Sequence, residues 1–151
     1  MNCLKRNKRK FWYCVPTGQK VEILDENGNR TGDYITLYEN PVEAMANISP
    51  ATGVYRTEEF GTIDSYDKVI LTDANCLIAE GCVLFVDKVP KRTSVKTYRV
   101  YTIHGVQRKE ERIFLVPVHD YVVWRISKSL NQTAIAIKKA PVGNVDGEIG
   151  Y

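Results

Sequence analysis

The sequence predicts an all-β fold, an antiparallel β-barrel or sandwich of roughly eight short strands with little helix. Val, Ile and Thr together number 40, against 16 for Leu and Ala. Their β-branched side chains fit a pleated sheet and lose rotamer freedom in a helix. Short apolar segments also alternate with turn residues along the chain, and a hydrophobic content of 44% is enough to build a core. These observations favour a folded β-protein over a helical or disordered chain.

The 151 residues suffice for one domain of ordinary size. Residues 1–10 hold five cations, no acid and no apolar period, which predicts a flexible basic arm. Residues 11–140 carry the strand patterns and predict a single β domain. Residues 141–151 contain three glycines and no core pattern, so we expect a loose C-terminal tail.

The first strands are predicted from short apolar runs and one strong turn signal. Phe11–Val15 is expected to be the first core strand. Val21–Leu24 and Tyr34–Tyr38 are expected to pair as a hairpin around Asn27-Gly28, because Asn-Gly is a strong hairpin signal. Val42–Ser49 alternates with a period of two, which predicts a strand with one buried face.

The later strands follow from similar patterns. Thr62–Tyr66 is the one helix candidate, and it is a single turn. A protruding hairpin is expected near residues 95–118, with the charged run Arg108–Glu111 in its polar tip. The residues expected to face the core are Val42, Ala44, Ala46, Ile48, Val69, Leu71, Leu84, Val86, Val122 and Ile126. The remaining strand candidates are Val54–Phe60, Lys68–Thr72, Cys82–Asp87, Tyr121–Ile126 and Ala134–Ile137.

Motifs of catalysis or metal binding do not stand out in the sequence. It has no GxSxG, HExxH or P-loop pattern, and its four cysteines form no CxxC pair. A segment from Asp25 resembles a calcium loop but has Thr36 where the closing glutamate would stand. His119 and Asp120 are neighbours on a predicted strand, so their side chains would point to opposite faces. We therefore expect no enzyme, no catalytic residue, no cofactor and no bound metal.

The basic arm supplies the candidate partner-docking residues. One interpretation is that these cations dock on an acidic protein surface or only keep the chain soluble. The other is that they neutralise the phosphates of a nucleic acid, with the aromatic run Phe11–Tyr13 stacking on bases. Further basic residues near Lys88 and Lys138 leave the second interpretation open. The candidate docking residues are Lys5, Arg6, Lys8, Arg9 and Lys10.

A further set of segments carries a family resemblance. In chain order these are the hairpin at Asp25-Glu26-Asn27-Gly28, the strand Pro41–Ile48, Glu59-Phe60-Gly61, Tyr66–Ile70, Leu84–Asp87 and Asp120–Ile126. Together they resemble the small neck proteins of long-tailed bacteriophages, the head-closure or head–tail joining proteins of the stopper type. The N-terminal run Leu4–Lys8 is similar to the start of small proteins from siphophage structural-gene clusters.

The resemblance implies a structural subunit of the head–tail connector ring, which closes the DNA channel and joins head to tail. Its implied partners are other copies of itself, the portal or adaptor ring, tail proteins and, without sequence preference, packaged DNA. The implied location is the virion neck, assembled in the host cytoplasm and without a membrane. Two alternatives stay open: a tail terminator or tail-completion protein, and an OB-like nucleic-acid-binding module.

Overall fold

The computed structural model describes residues 8–50, 66–141 and 147–151, and within them it confirms the all-β prediction. The first strands are β1 (Lys8–Cys14), β2 (Pro16–Leu24), β3 (Arg30–Tyr38), β4 (Val42–Pro50), β5 (Lys68–Asp73) and β6 (Val83–Phe85). The others are β7 (Lys91–Ile103), β8 (Val106–Pro117), β9 (Tyr121–Lys128), β10 (Gln132–Lys139) and β11 (Ile149–Gly150). Where one domain is expected over residues 11–140, the chain forms two compact units.

The first unit is a closed antiparallel barrel. Its strand order is β1-β4-β5-β10-β9-β6, and β6 pairs back with β1. Closure leaves no sheet edge unpaired, which removes a common site of aggregation. An OB-fold barrel has five strands, whereas this barrel has six. The barrel therefore differs in strand number from the nucleic-acid-binding alternative.

The barrel core confirms the assignment of the first strand. Phe11 is 1% exposed and Tyr13 is buried, so the aromatic run of β1 belongs to the core. These side chains pack with the buried apolar residues of the other barrel strands. The core residues include Ala46, Ile70, Ile78, Cys82, Leu84, Val86, Tyr121, Ile135 and Ile137.

The alternating strand β4 matches its prediction in part. Ala46 is buried, and Ala44 and Ile48 pack against the core cluster. Val42 is 45% exposed, so its assignment to the core is wrong. Val42 is the first residue of β4, and its partner Tyr13 lies near the end of β1. Side chains at the end of a strand have fewer neighbouring residues to cover them than side chains in its middle.

A bulge decides which side chains of β9 reach the core. Ala136 pairs with Arg125, but the next residue Ile137 pairs with Val123, so one residue of β9 is skipped. The extra residue shifts the alternation. As a result Val123 packs against the core, in place of the predicted Val122, while Ile126 packs there as expected.

The second unit contains the β2–β3 hairpin and a three-stranded sheet in the order β11-β7-β8. The predicted turn at Asn27-Gly28 is confirmed. Gly28 has a φ of 81°, and its N–H donates to the Asp25 carbonyl oxygen at 3.0 Å. The Asp25 carboxylate accepts from the backbone N–H groups of Asn27 and Asn29 at 2.9 and 2.8 Å. Asp25 therefore caps the turn from within.

Two contacts join β2–β3 to β7 inside this unit. The Thr97 hydroxyl donates to the Glu22 carbonyl oxygen at 3.0 Å and accepts from the Leu24 N–H at 2.8 Å. A Cβ on Gly28 would meet Val100 Cγ2 at 2.7 Å. Only glycine fits this close approach, because the position also has a positive φ.

The long hairpin predicted near residues 95–118 is present as β7–β8. Its strands pair without interruption from Arg92 with Pro117 to Ile103 with Val106. The two-residue loop is His104-Gly105, and both residues have positive φ values of 51° and 77°, as a type I′ turn requires. The charged run Arg108–Glu111 lies inside β8, so its assignment to the tip is corrected. An exposed strand accommodates charges on both faces.

Both chain ends depart from expectation within the described residues. The arm was expected to include residues 1–10, but Lys8, Arg9 and Lys10 belong to β1 and pair with β4. In the expected loose tail, Ile149 and Gly150 pair with β7. The strand predicted at 54–60 and residues 62–65 of the helix candidate lie outside the described residues.

Candidate functional site

The candidate docking residues of the arm separate into two groups. Lys5 and Arg6 lie outside the described residues. Arg9 donates to the Val86 carbonyl oxygen at 2.7 Å and to the Asp87 carboxylate at 2.9 Å. Lys10 forms an ion pair with Glu43 at 3.1 Å. Arg9 and Lys10 thus each have a carboxylate partner in their own barrel, and the docking role of Lys8, Arg9 and Lys10 stays a prediction.

The Arg9 contact belongs to a polar network that ties β1, β6 and β9 together. Asp87 accepts from Arg9 and from the Tyr121 hydroxyl, the latter at 3.1 Å. Asp120 accepts from the Val86 and Asp87 N–H groups at 2.9 and 2.8 Å. Each carboxylate therefore satisfies two donors, which indicates a structural network.

The network shifts two pKa values in opposite directions. Burial raises the pKa of Tyr121 to about 12, and the hydrogen bond to Asp87 and nearby carboxylates add to the rise. Burial by itself would raise the pKa of Asp87, but the hydrogen bonds from Arg9 and Tyr121 and the charge of Lys68 bring it below its ordinary value. At neutral pH the network thus holds a neutral phenol and an ionised carboxylate.

Tyr121→Phe is expected to change the alkaline stability of the protein. The pKa of Tyr121 is about 12 in the folded protein against 10.0 ordinarily. Its contribution is complete below pH 10 and is lost as the pH rises through 12, which amounts to about 3 kcal/mol. Urea unfolding at about pH 9 and about pH 12 should show the wild type losing about 2 kcal/mol more than the variant, because Tyr121 is half ionised in the folded protein at pH 12. Equal losses would contradict the assignment.

The β7–β8 hairpin presents two chemically different faces. Residues directly opposite each other in an antiparallel pair share a face, and neighbours along a strand point to opposite faces. One face of the hairpin carries three cross-strand pairs: Thr97 with Arg112, Arg99 with Glu110, and Tyr101 with Arg108. Thr97 is buried against β2, so the exposed cations of this face are Arg99, Arg108 and Arg112, and we call these three residues the arginine face.

Aromatic rings hold two of these guanidinium groups. Arg99 lies over the ring of Tyr101 at 5.0 Å, and Arg112 lies over Phe114 at 5.1 Å. Such contacts fix the position of the cation while leaving its N–H donors available. Arg99 also reaches Glu110 at 3.9 Å, whereas no carboxylate of the described residues pairs with Arg108 or Arg112.

The opposite face of the hairpin carries an exposed apolar pair. Ile113 is 59% exposed and Leu115 is 46% exposed, and they lie two positions apart on β8. Their cross-strand partners are Lys96 and Ser94. Lys96 is itself neutralised by Glu111 at 3.4 Å. This face therefore offers apolar surface with little net charge beside it, as protein interfaces do.

The structure also bears on metal and thiol chemistry. In residues 8–50, 66–141 and 147–151, no group of three or more His, Cys, Asp or Glu side chains could hold a metal ion. Burial raises the pKa of the Cys82 thiol, which keeps it protonated and unreactive at neutral pH. No helix of the described residues is long and apolar enough to cross a membrane.

The arginine face was missed in the sequence, although its signal is visible there. Arg108, Glu110 and Arg112 recur at a period of two, which places them on one face of a strand. The interpretation of Arg108–Glu111 as a turn concealed this period.

Comparison with known proteins found no matching family model, no matching curated protein and no matching solved structure.

Proposed function

We propose that this protein is a structural subunit of a bacteriophage neck, part of the head–tail connector ring that joins head to tail and closes the DNA channel. The resemblance of its hairpin, strand and turn segments to head-closure proteins suggests this class. The observation that carries the proposal is the exposed apolar pair Ile113 and Leu115 on the β7–β8 hairpin. We propose that a second copy of the chain covers this pair in the ring.

Two features support an interface between copies. Ile113 and Leu115 are about half exposed in the single chain, so covering them is worth about half of the roughly 1.5–3 kcal/mol gained by fully burying such a side chain. β8 is also an end strand of its three-stranded sheet. A long end strand is a surface that a neighbouring chain can approach directly. Repeated around a ring, one such contact per subunit closes the assembly.

The basic arm retains a part in the proposal. Lys5, Arg6 and Lys8 are the residues proposed to dock on an acidic surface of the adjoining portal, adaptor or tail ring. Arg9 and Lys10 are better assigned to the barrel because each has a carboxylate partner there. An experiment on the arm should therefore substitute Lys5, Arg6 and Lys8 in one variant and Arg9 and Lys10 in another.

The double substitution Ile113→Ser and Leu115→Ser is expected to block particle assembly without unfolding the protein. Exposed side chains contribute little to stability, so the free energy of unfolding should change by less than about 1 kcal/mol. A phage genome lacking this gene is complemented with a plasmid copy. The variant should reduce infectious particles at least about tenfold, the factor that corresponds to 1.4 kcal/mol, and electron micrographs should show filled heads without tails.

The matched control replaces two exposed leucines of the barrel, Leu77→Ser and Leu130→Ser, which are 78% and 96% exposed. It removes a comparable apolar surface away from the hairpin, and particle yield should stay at the wild-type level. Normal yield from the hairpin variant would refute the apolar pair as an assembly interface. Failure of the wild-type gene to restore tailed particles would refute the neck assignment.

A further inference from the structure

We propose that the arginine face of the β7–β8 hairpin binds the phosphate backbone of double-stranded DNA without sequence preference. This inference deepens the proposed function and rests on it for the presence of DNA, and it names the face and the residues that meet that DNA. It rests on the charge of the hairpin, the spacing of its arginines and the state of its aromatic rings.

The hairpin concentrates the positive charge of the chain. Residues 91–117 contain seven cations and two acids, a formal charge of +5, whereas the whole chain carries only +3. The two acids are both engaged within the hairpin, Glu111 by Lys96 and Glu110 by Arg99. The pairing register places three of these cations and one acid on the arginine face, and a positive excess on one strand surface attracts polyanions such as nucleic acid.

The arrangement of the guanidinium groups suits phosphates. Arg108 and Arg112 are four residues apart on one face of β8, a separation of about 13 Å along an extended strand. Arg99 lies on the same face of the neighbouring strand, opposite Glu110. Each guanidinium presents a planar fork of N–H donors that matches phosphate oxygens. The contacts to Tyr101 and Phe114 restrict two of them in advance, which lowers the entropy lost on binding.

The state of the aromatic rings in the hairpin favours contact with the DNA backbone over contact with the bases. Single-strand binders stack bases on open aromatic faces. Here Lys109 covers Tyr98 at 5.5 Å, and arginines cover Tyr101 and Phe114. All three rings are also partly buried. On the arginine face, one side of Tyr101 and one side of Phe114 are already covered by an arginine, which favours contact with phosphates over base stacking, and phosphate contact needs no particular sequence.

The test measures how binding depends on salt. The full chain is titrated into a fluorescently labelled duplex of about 30 base pairs at salt concentrations from about 50 to about 200 mM, and anisotropy gives the affinity. The triple variant Arg99→Gln, Arg108→Gln and Arg112→Gln removes three cations. Each lost phosphate contact lowers the slope of log K against log salt by about 0.9, so the slope should fall by about 2.7. Over this range of salt, wild-type binding should weaken about 40-fold more than variant binding.

A matched control removes the same charge elsewhere. Lys20→Gln, Lys128→Gln and Lys139→Gln replace three exposed lysines outside the hairpin and should leave the slope within about one unit of wild type. The single variant Arg108→Gln loses no ion pair to a carboxylate of the described residues, and it should lower the slope by about 0.9. It keeps the test valid if the triple variant unfolds. Equal slopes for the triple variant and the lysine control would overturn the proposal.

Two further outcomes decide the mode of binding. Duplexes of unrelated sequence should bind with the same affinity, and single-stranded DNA should bind no more tightly than duplex. A tenfold preference for single strands would indicate base stacking and would refute contact through the backbone. The proposed neck function is judged separately, because it is tested by the tailing defect of the Ile113 and Leu115 variant.

Discussion

Phe11→Ala is expected to lower the free energy of unfolding by about 3–5 kcal/mol, the usual cost of emptying a buried aromatic site. Phe11 is 1% exposed and belongs to the buried core cluster of the barrel. Its strand β1 pairs on both sides, with β4 and with β6, so neighbouring strands cannot easily collapse into the cavity. A typical domain has only about 5–15 kcal/mol of stability. Urea unfolding followed by circular dichroism measures the loss.

Trp12→Ala is the matched control for this prediction. Trp12 is the next residue of β1 and points to the opposite face, where it is only partly buried. We expect its replacement to cost less than half as much as that of Phe11. If the two substitutions destabilised the protein equally, the assignment of Phe11 to the inner face of the barrel would be wrong.

Asp120→Ala is expected to cost about 3 kcal/mol, although it removes only a small polar side chain. The two carboxylate oxygens of Asp120 each accept one backbone N–H from the segment that follows β6. Hydrogen bonds to a charged group contribute about 1.5–3 kcal/mol each, and their loss leaves backbone donors without partners. The backbone bonds of Asp120 to Leu84 and Ala140 remain in the variant.

Two comparisons isolate the effect of the carboxylate. Asp120→Asn keeps the side-chain volume but has only one acceptor oxygen, so about half of the loss is expected. Asp73→Ala removes an exposed acid at the end of β5 and should change stability by less than about 0.5 kcal/mol. Unfolding midpoints of Asp120→Ala and wild type that agree within error would contradict the capping role.

The sequence alone determined the fold class and the position of most strands. The abundance of β-branched residues and the period of two in segments such as Val42–Ser49 are local properties, and local pairing rules translate them directly into strands. The Asn27-Gly28 turn is equally local, because a positive φ is required at Gly28 whatever surrounds it. The basic arm was visible as charge, but its docking role stays a prediction.

The tertiary structure decided which strands pair, and the pairing determined the contacts and the structural role of several residues. Arg9 looks like an arm cation until closure of the barrel brings β6 alongside β1 and places Asp87 against it. Val123 packs against the core in place of Val122 because of a bulge, and no local sequence pattern predicts that bulge. The arginine face and the apolar pair likewise exist only because β7 and β8 pair in one register. Contacts between residues far apart in sequence carry this information, and alternation along one strand does not specify its partner.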